Sequence, residues 1–470
     1  MNVSTSTAAR RPVRRPGAGR APAAVIAVCV LALVAAACGG NRSTAKPPST
    51  APGSTTAGTG GTTTPIIDTS NCPSGSETTG ISGNTITIGT SLPESGLYSA
   101  FTAILNGEKA FISYTNANGG VTVAGKKYQI NLVAKDDQYV ATQTVANVQS
   151  MLSANNTFAL FNVVGTKNNL AIRNTINQDC VPDLFAASGA TQWGNHQFPW
   201  LIGSELVPYP LEVKTFVAYL EKTKPNATIA VLRANDDFGA SYADTLTQLV
   251  KGTQLKVVST QEYDSAGADV TTQVNTLAAT HADAFLLAGA LLACPAALTA
   301  AQAAGWHPIT YMSGTCVSKV LLGAAKSAAN GILSVTPLLD PADPKNASMP
   351  AVKLYEQSIA KYAPSGTDAS DGIVAYGWTT GALLVKTLES AKTLDRTAVM
   401  EAARTLTNVK DVGLEIPSAT WNTNANDWFI GETFQFIRYD ATAGHSDPIG
   451  PVTNDDGKTA SLTPASLINQ

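Results

Sequence analysis

From Thr85 onward, short β-branched runs alternate with longer amphipathic stretches, and the alternation runs through two consecutive series. In the first, residues 85–89 read as a strand, 100–118 as a helix ending at Gly119-Gly120, 129–134 as a strand and 141–154 as a helix. Strands at 158–164 and 182–186 follow, separated by a helix over about 169–177. The second series begins after Pro208-Tyr209-Pro210, with helices at 211–224, 241–250, 270–279 and 297–304 and strands at 228–232, 255–261, 284–287, 309–312 and 332–335. Asp269 is positioned to cap the 270–279 helix. Helices at 352–362 and 373–392 and a strand at 433–439 complete the pattern. Right-handed crossovers place the helices of such a repeat on both faces of a parallel sheet. The expected class is therefore α/β, in two Rossmann-like lobes with a crevice between them. Ligands of open α/β sheets bind outside the carboxyl ends of the strands.

Ahead of this pattern the composition changes. The first acidic residue is Asp68, whereas Arg10, Arg11, Arg14, Arg15 and Arg20 precede an apolar run over 21–37. That is the shape of a secretory signal, and its end, Ala35-Ala36-Ala37-Cys38-Gly39, resembles a bacterial lipobox, although the position three before the cysteine is Ala35 where Leu is usual. Residues 1–38 are thus expected to be a lipoprotein signal ending at a lipidated Cys38, with an uncleaved anchor and simple secretion as alternatives. Residues 39–71 are Ser, Thr, Gly, Ala and Pro with little to bury, a composition that forms a flexible tether. The formal charge of −3 for 470 residues hides this asymmetry: beyond Cys38 there are 26 basic and 34 acidic residues. An acidic exported chain gives no electrostatic reason to expect nucleic acid, and attachment to a membrane falls to the acyl chains.

Cys29 lies in the apolar run, which leaves Cys72, Cys180, Cys294 and Cys316 in an oxidising compartment, with three possible pairings. Cys294 and Cys316 each follow a strand by a few residues, and the strands are neighbours in the alternation, so this pair is favoured, with Cys72 then joined to Cys180. With no Cys-x-x-Cys and four scattered histidines, no metal is expected, and no cofactor.

Catalytic signatures are scarce: His-Glu-x-x-His, Gly-x-Ser-x-Gly, a Walker loop and a dinucleotide fingerprint are all missing. Ser358-Ile359-Ala360-Lys361 matches the Ser-x-x-K of penicillin-acylating serine enzymes, with Ser370-Asp371-Gly372 close behind, but Lys-Thr-Gly is missing. A solvated helix face accounts for the match. Candidate ligand contacts are instead the segments after strand ends. The stretch 91–101 brings Ser95 and Tyr98. Gly165-Thr166-Lys167-Asn168-Asn169 opens a helix whose free N–H groups favour an anionic or carbonyl group. Ser188-Gly189-Ala190-Thr191 offers two hydroxyls. Asp236-Asp237-Phe238-Gly239, Gly289-Ala290-Leu291 and Ser313-Gly314-Thr315 hold the corresponding places in the second series.

Several of these segments, with Ile86-Thr87-Ile88-Gly89, Asn116-Ala117-Asn118-Gly119-Gly120 and Asp136-Asp137, resemble the type I periplasmic substrate-binding proteins of ABC transporters, in the branched-chain amino acid group. The resemblance covers about 86–391. It implies two lobes joined by a three-segment hinge: 72–208 as the first lobe, 209–337 as the second, and 338–470 returning helices to the first lobe and crossing the hinge. It also implies a monomer that traps a small polar solute, an amino acid or related compound, and serves ABC permease subunits from the outer face of the membrane. A sensor on the same fold, signalling without transport, is the alternative; a serine acyl enzyme using Ser358 and Lys361 is the remote one. By the same resemblance Thr166, Ser188 and Thr191 hold a ligand carboxylate, and Phe238 contacts the ligand. Thr315 stands where amino-acid binders carry the acidic partner of the ammonium, and Ala290 and Leu291 stand where they carry aromatics. A buried ammonium without a carboxylate is costly, so a plain branched-chain amino acid requires Glu94, Glu205, Asp236 or Asp237 to supply the charge.

Overall fold

The computed structural model describes residues 66–154, 156–267 and 269–462. The expected signal, Cys38 and the tether up to residue 65 lie outside the described residues. Near the tether's expected end, Ile67 is 1% exposed and belongs to the hydrophobic core.

The first sheet contains β1 (Ile81–Ser82), β2 (Thr85–Leu92), β3 (Val121–Val123), β4 (Lys126–Asp136), β5 (Ala159–Phe161), β6 (Asp183–Ala186) and β7 (Leu201–Gly203). Its order is β3-β4-β2-β5-β6-β7, with β1 beside β2. From β4 to β7 the pairing is parallel, set in register by apolar partners such as Ile86 opposite Ile130 and Ile88 opposite Leu132. The connections are α1 (Thr102–Ala117), α2 (Ala141–Ala154) and α3 (Thr166–Gln178). The α3 helix starts earlier than its apolar periodicity indicates, because its first turn is polar, yet buried at Thr166, Asn168 and Asn169.

The second sheet contains β8 (Thr228–Ala234), β9 (Lys256–Tyr263), β10 (Ala284–Ala288), β11 (Ile309–Met312), β12 (Leu333–Thr336), β13 (Thr433–Asp440), β14 (His445–Pro448) and β15 (Thr453–Asn454). Its order is β14-β13-β12-β11-β10-β8-β9, with β15 beside β13. The strands from β9 to β12 are parallel, while β13 closes the edge antiparallel to β12, Ser334 facing Ile437. Central β10 is buried at every residue, as a strand covered on both faces must be. Its helices are α4 (Tyr209–Thr223), α5 (Asp237–Leu249), α6 (Thr271–Ala278), α7 (Ala293–Ala303) and α8 (Lys319–Ala325). Asp269 does accept from the Thr271 N–H at 2.9 Å, but Val270 occupies the cap position, so the capping oxygen acts from one residue further out.

Between β12 and β13 the chain leaves the second sheet as α9 (Pro350–Tyr362), α10 (Gly372–Ser390) and α11 (Arg396–Ala403); α12 (Thr459–Leu462) follows β15. Here α10 lies on α1 of the first lobe at backbone contact: a Cβ at Gly377 would sit 2.0 Å from the Ile104 carbonyl oxygen, and one at Gly107 would sit 2.2 Å from that of Val374. Around the crossing Ala110, Val352, Tyr355, Val374 and Trp378 form their own apolar cluster. Two arginines staple α11 to the same lobe. Arg396 donates to the Thr157 and Phe158 carbonyls, and Arg404 to those of Pro199 and Leu201, all within 2.9 Å. The Arg404 guanidinium also lies 3.2 Å from the centre of the Trp428 ring.

Disulfides join Cys72 to Cys180 and Cys294 to Cys316, the expected pairing. The second ties the start of α7 to the turn after β11. Among the described residues no helix is long and apolar enough to cross a membrane.

Two measurements probe this frame. Gly377→Ala forces backbone apart at the α1–α10 crossing and is expected to cost about 1–3 kcal/mol of unfolding free energy in urea, as overpacking does. Replacing Cys294 and Cys316 together by Ser opens a loop of 22 residues and is expected to cost about 3 kcal/mol, read as a lower denaturation midpoint.

Candidate functional site

The carboxyl ends of the parallel strands in the two sheets face each other, and the loops leaving them build a common wall. On the first-sheet side Asp136 and Asp137 end β4 and shape the loop that follows. Asp137 is buried and accepts from the Ser91 hydroxyl, the Thr144 hydroxyl and the Tyr139 N–H, each at 2.9 Å. Burial raises its pKa, against those three bonds. This holds Tyr139 at φ 63° with its ring stacked on Tyr98, the centroids 4.2 Å apart. The Tyr139 ring lies so close to Gly165 that a Cβ there would sit 2.5 Å from it, and Gly165 has φ 104°, so glycine answers both constraints.

Gly165 also opens α3 without any side-chain cap. The buried first turn that follows thus presents free N–H groups with the positive end of the helix dipole behind them. Beside it the Thr166 and Ser188 hydroxyls share a 2.8 Å hydrogen bond, and Ser188 Oγ also accepts from the Ala190 N–H at 3.2 Å. Thr191 is fully buried and its Oγ1 has no hydrogen-bond partner. Lys167 points across the crevice: its ammonium lies 4.5 Å from the Tyr139 ring centre and donates to Ser265 Oγ at 2.9 Å. Desolvation lowers its pKa, opposed by Asp236 and Asp264.

The second-sheet side is aromatic. Phe238 meets Tyr209 edge-on at 5.2 Å, and Tyr209 stacks on Tyr242 at 4.8 Å. Burial pushes the Tyr209 phenol up to about 12. Asp236 caps α5 by accepting from the Gly239 N–H at 3.1 Å; burial raises its pKa and Lys167 lowers it. The Ala290 N–H donates to the Tyr263 hydroxyl at 3.1 Å. Thr315 Oγ1 lies 2.9 Å from Ser313 Oγ, which in turn bonds the Tyr242 hydroxyl at 2.8 Å.

At one end of the crevice lies a cavity of about 80 Å³ lined by Phe101, Val164, Ala187, Leu206, Val317 and Tyr376, with Thr315 at its wall. A second cavity of about 80 Å³ shares Leu206, Gly314, Thr315, Val317, Gly372 and Tyr376 with it. Across this end Lys319 of α8 donates to Ser370 Oγ at 3.1 Å.

Tyr98, Thr166, Ser188, Thr191, Phe238, Ala290 and Thr315 therefore lie in the facing loops, but three expected contacts are otherwise occupied. Ser95 is exposed at the rim and spends its hydroxyl and N–H on Asp136. Asn168 is buried with its amide donating to the Val164 carbonyl at 2.9 Å, so it braces the loop. Gly189 is where the backbone passes the crossing segment, since a Cβ would sit 2.5 Å from the Val207 oxygen. Of the four acidic candidates, Glu205 is turned to α10, accepting from the Thr380 hydroxyl at 2.6 Å, and burial pushes it up to about 7. Only Asp236 acts on Tyr98, Tyr139 and Lys167 at once. Ser358 is buried on α9 while Lys361 is exposed over the Tyr362 ring, which does not make a nucleophile and its base. Tyr139, Lys167, Tyr209 and Tyr263 are the contributors that sequence reading missed. Tyr139 follows the Asp136-Asp137 motif by two residues, the one local signal that pointed to it.

A family profile described as periplasmic binding protein matches residues 85–442. Among solved structures, a branched-chain amino acid ABC transporter protein from Thermus thermophilus with bound valine is 16% identical, with a TM-score of 0.70 over 80% of this chain and 98% of that one. A fatty acid ABC transporter substrate-binding protein from Thermomonospora curvata is 20% identical, with a TM-score of 0.71 over 83% and 98%. An ABC transporter substrate-binding protein from Aeropyrum pernix is 15% identical, with a TM-score of 0.72 over 83% and 100%. At these identities the structures speak for the fold. With two doubly wound sheets facing across one crevice and a profile that spans both, the chain belongs to the periplasmic binding protein family, in its type I fold.

Proposed function

We propose that this chain is an extracytoplasmic solute-binding protein that captures a small ligand, an amino acid or related compound, between its lobes and delivers it to the permease of an ABC importer, held at the membrane through a lipidated Cys38. The observation that carries this reading is the hydroxyl of Thr191, fully buried and unpartnered, in the loop that also brings Ser188 to the uncapped start of α3. Buried hydroxyls normally find partners, and a ligand carboxylate would supply one. Lobe closure is then favoured by as much as the ligand binds both faces better than one. The fold is shared with proteins described as binding valine and as serving fatty acid transport, which makes capture and release the common element and ligand chemistry the variable one. Catalysis has no part in this function.

A thermal-shift screen of amino acids, amides, short peptides and aromatic acids identifies a solute, and Thr191→Ala is expected to weaken its binding about tenfold or more by calorimetry, since a hydrogen bond to a charged group contributes about 1.5–3 kcal/mol. An unchanged dissociation constant removes Thr191 from the site. Anchoring is checked separately: Cys38→Ser is expected to move the protein from the membrane fraction to the soluble exported fraction, with loss of the diacylglyceryl mass on the mature N-terminus.

A further inference from the structure

We propose that Glu108 of α1 and Glu205 of the crossing segment between β7 and α4 are a proton-binding pair, and that the protons they keep hold this segment to α10 and make the lobe crossing sensitive to pH.

Both acids lie where the chain passes from the first sheet to the second. Glu108 follows Gly107, whose backbone meets that of α10 at Val374. Glu205 stands between the last strand of the first sheet and the first helix of the second series. Each is 0% exposed. Neither oxygen of Glu108 has a hydrogen-bond partner, and Glu205 Oε2 has none either. Among the described residues no cation forms an ion pair with either acid. As carboxylates the two would each lose a water shell without gaining a counter-charge, and they would repel one another. A proton on each removes both costs.

The bonds around Glu205 point the same way. Thr380 Oγ1 lies 2.6 Å from Glu205 Oε1 and 3.0 Å from the Tyr376 carbonyl oxygen. With Glu205 ionised both are acceptors, and the hydroxyl has a single hydrogen to give. With Glu205 protonated, the acid donates to Thr380 Oγ1 and the hydroxyl hydrogen goes to the carbonyl. The segment is then bonded to α10 at Thr380 as well as through Ser204, which accepts from the Tyr376 hydroxyl at 2.9 Å.

The charged and titratable groups that bear on the pair agree. Burial raises the pKa of Glu108 well above the ordinary glutamate value; Lys109, half-buried beside it on α1, lowers it, and Glu205 raises it. Burial pushes Glu205 up to about 7, with Thr380 lowering it and Glu415, in the loop after α11, raising it. Tyr376 on α10 is raised by burial and by Glu205. The folded protein therefore keeps protons that the unfolded chain releases. The stability they contribute is complete below the ordinary value of 4.5 and is lost as pH rises, until the folded acids ionise, which for Glu205 is at about 7. The new charge then falls between α1, α10 and the crossing segment, so the loosening is local.

Urea unfolding of the full chain at about pH 5 and about pH 8 compares the parent with Glu108→Gln, Glu205→Gln and the double variant, because the amide keeps the shape and cannot ionise. Glu108→Met and Glu205→Met serve the same comparison where an amide does not fold. Over this range the parent's folding equilibrium constant is expected to fall at least about tenfold more for each acid of the pair than it does in the variant lacking that acid, one pKa unit being a factor of ten. Asp183, Glu212 and Glu432 are buried acids too and add a fall of their own, which the variants retain. Hydrogen exchange locates the effect. At about pH 8, residues 203–209 and 372–384 are expected to exchange at least about threefold faster in the parent than in the double variant, with the rest of the chain alike, and at about pH 5 the two proteins match. A double variant that loses as much stability as the parent overturns the proposal, and so does exchange that is unchanged in those two segments.

Discussion

The backbone contact between α1 and α10 at Gly107 and Gly377 is the constraint on which the arrangement of the two lobes depends. The chain finishes β12 in the second sheet, crosses to pack α9, α10 and α11 on the first, and returns to lay β13 beside β12. Two helices can approach this closely only where neither carries a side chain at the crossing. The same helix brings Gly372 and Tyr376 to the inner end of the crevice and lets the Tyr376 hydroxyl bond Ser204 and Asn162. Packing and site are therefore consequences of one docking event. Arg396 and Arg404 reinforce it through four bonds to carbonyls of the first lobe, where buried acceptors would otherwise go unmet.

Within the crevice, two kinds of surface divide the work. The mouth is aromatic and charged, with Tyr98 on Tyr139, Tyr209 between Phe238 and Tyr242, and Lys167 reaching Ser265 from the opposite lobe. Behind it one cavity is lined by apolar side chains with the hydroxyls of Thr315 and Tyr376, and the cavity adjoining that one also carries Glu212, Lys319 and Asp340. At the mouth Lys167 meets a hydroxyl and a ring, in the field of Asp236 and Asp264.

Much of the frame was legible because it is written in short-range periodicity. The α2 and β11 boundaries match those read from residues 141–154 and 309–312, since each is a clean amphipathic or apolar run between breakers. Two elements that sequence reading missed had little such signal. Strand β7 has three residues, Leu201–Gly203, too few for alternation to register, and α8 has seven. Helix α11 did carry a signal, the Asp395 side chain accepting from the Ala398 N–H, but at eight residues its apolar face is short. At the candidate site, the place of Thr166, Ser188, Thr191 and Phe238 in the facing loops is legible because they follow strands. Ser95 and Asn168 follow strands too, yet brace turns, because Asp136 and the Val164 carbonyl claim them first.

By itself the sequence determined the two doubly wound series, the export signature ahead of them, the favoured cysteine pairing and the set of loops from which any site must be drawn. These follow from local propensity, hydrophobic period and chain order, which act over a few residues. Only the tertiary structure decided which of those loop residues face the crevice, and that Tyr139, Lys167 and Tyr209 join them. Those facts depend on contacts between residues far apart in the chain, Lys167 with Ser265 and Asn162 with Tyr376 among them, and no local pattern encodes which distant partner a side chain will meet.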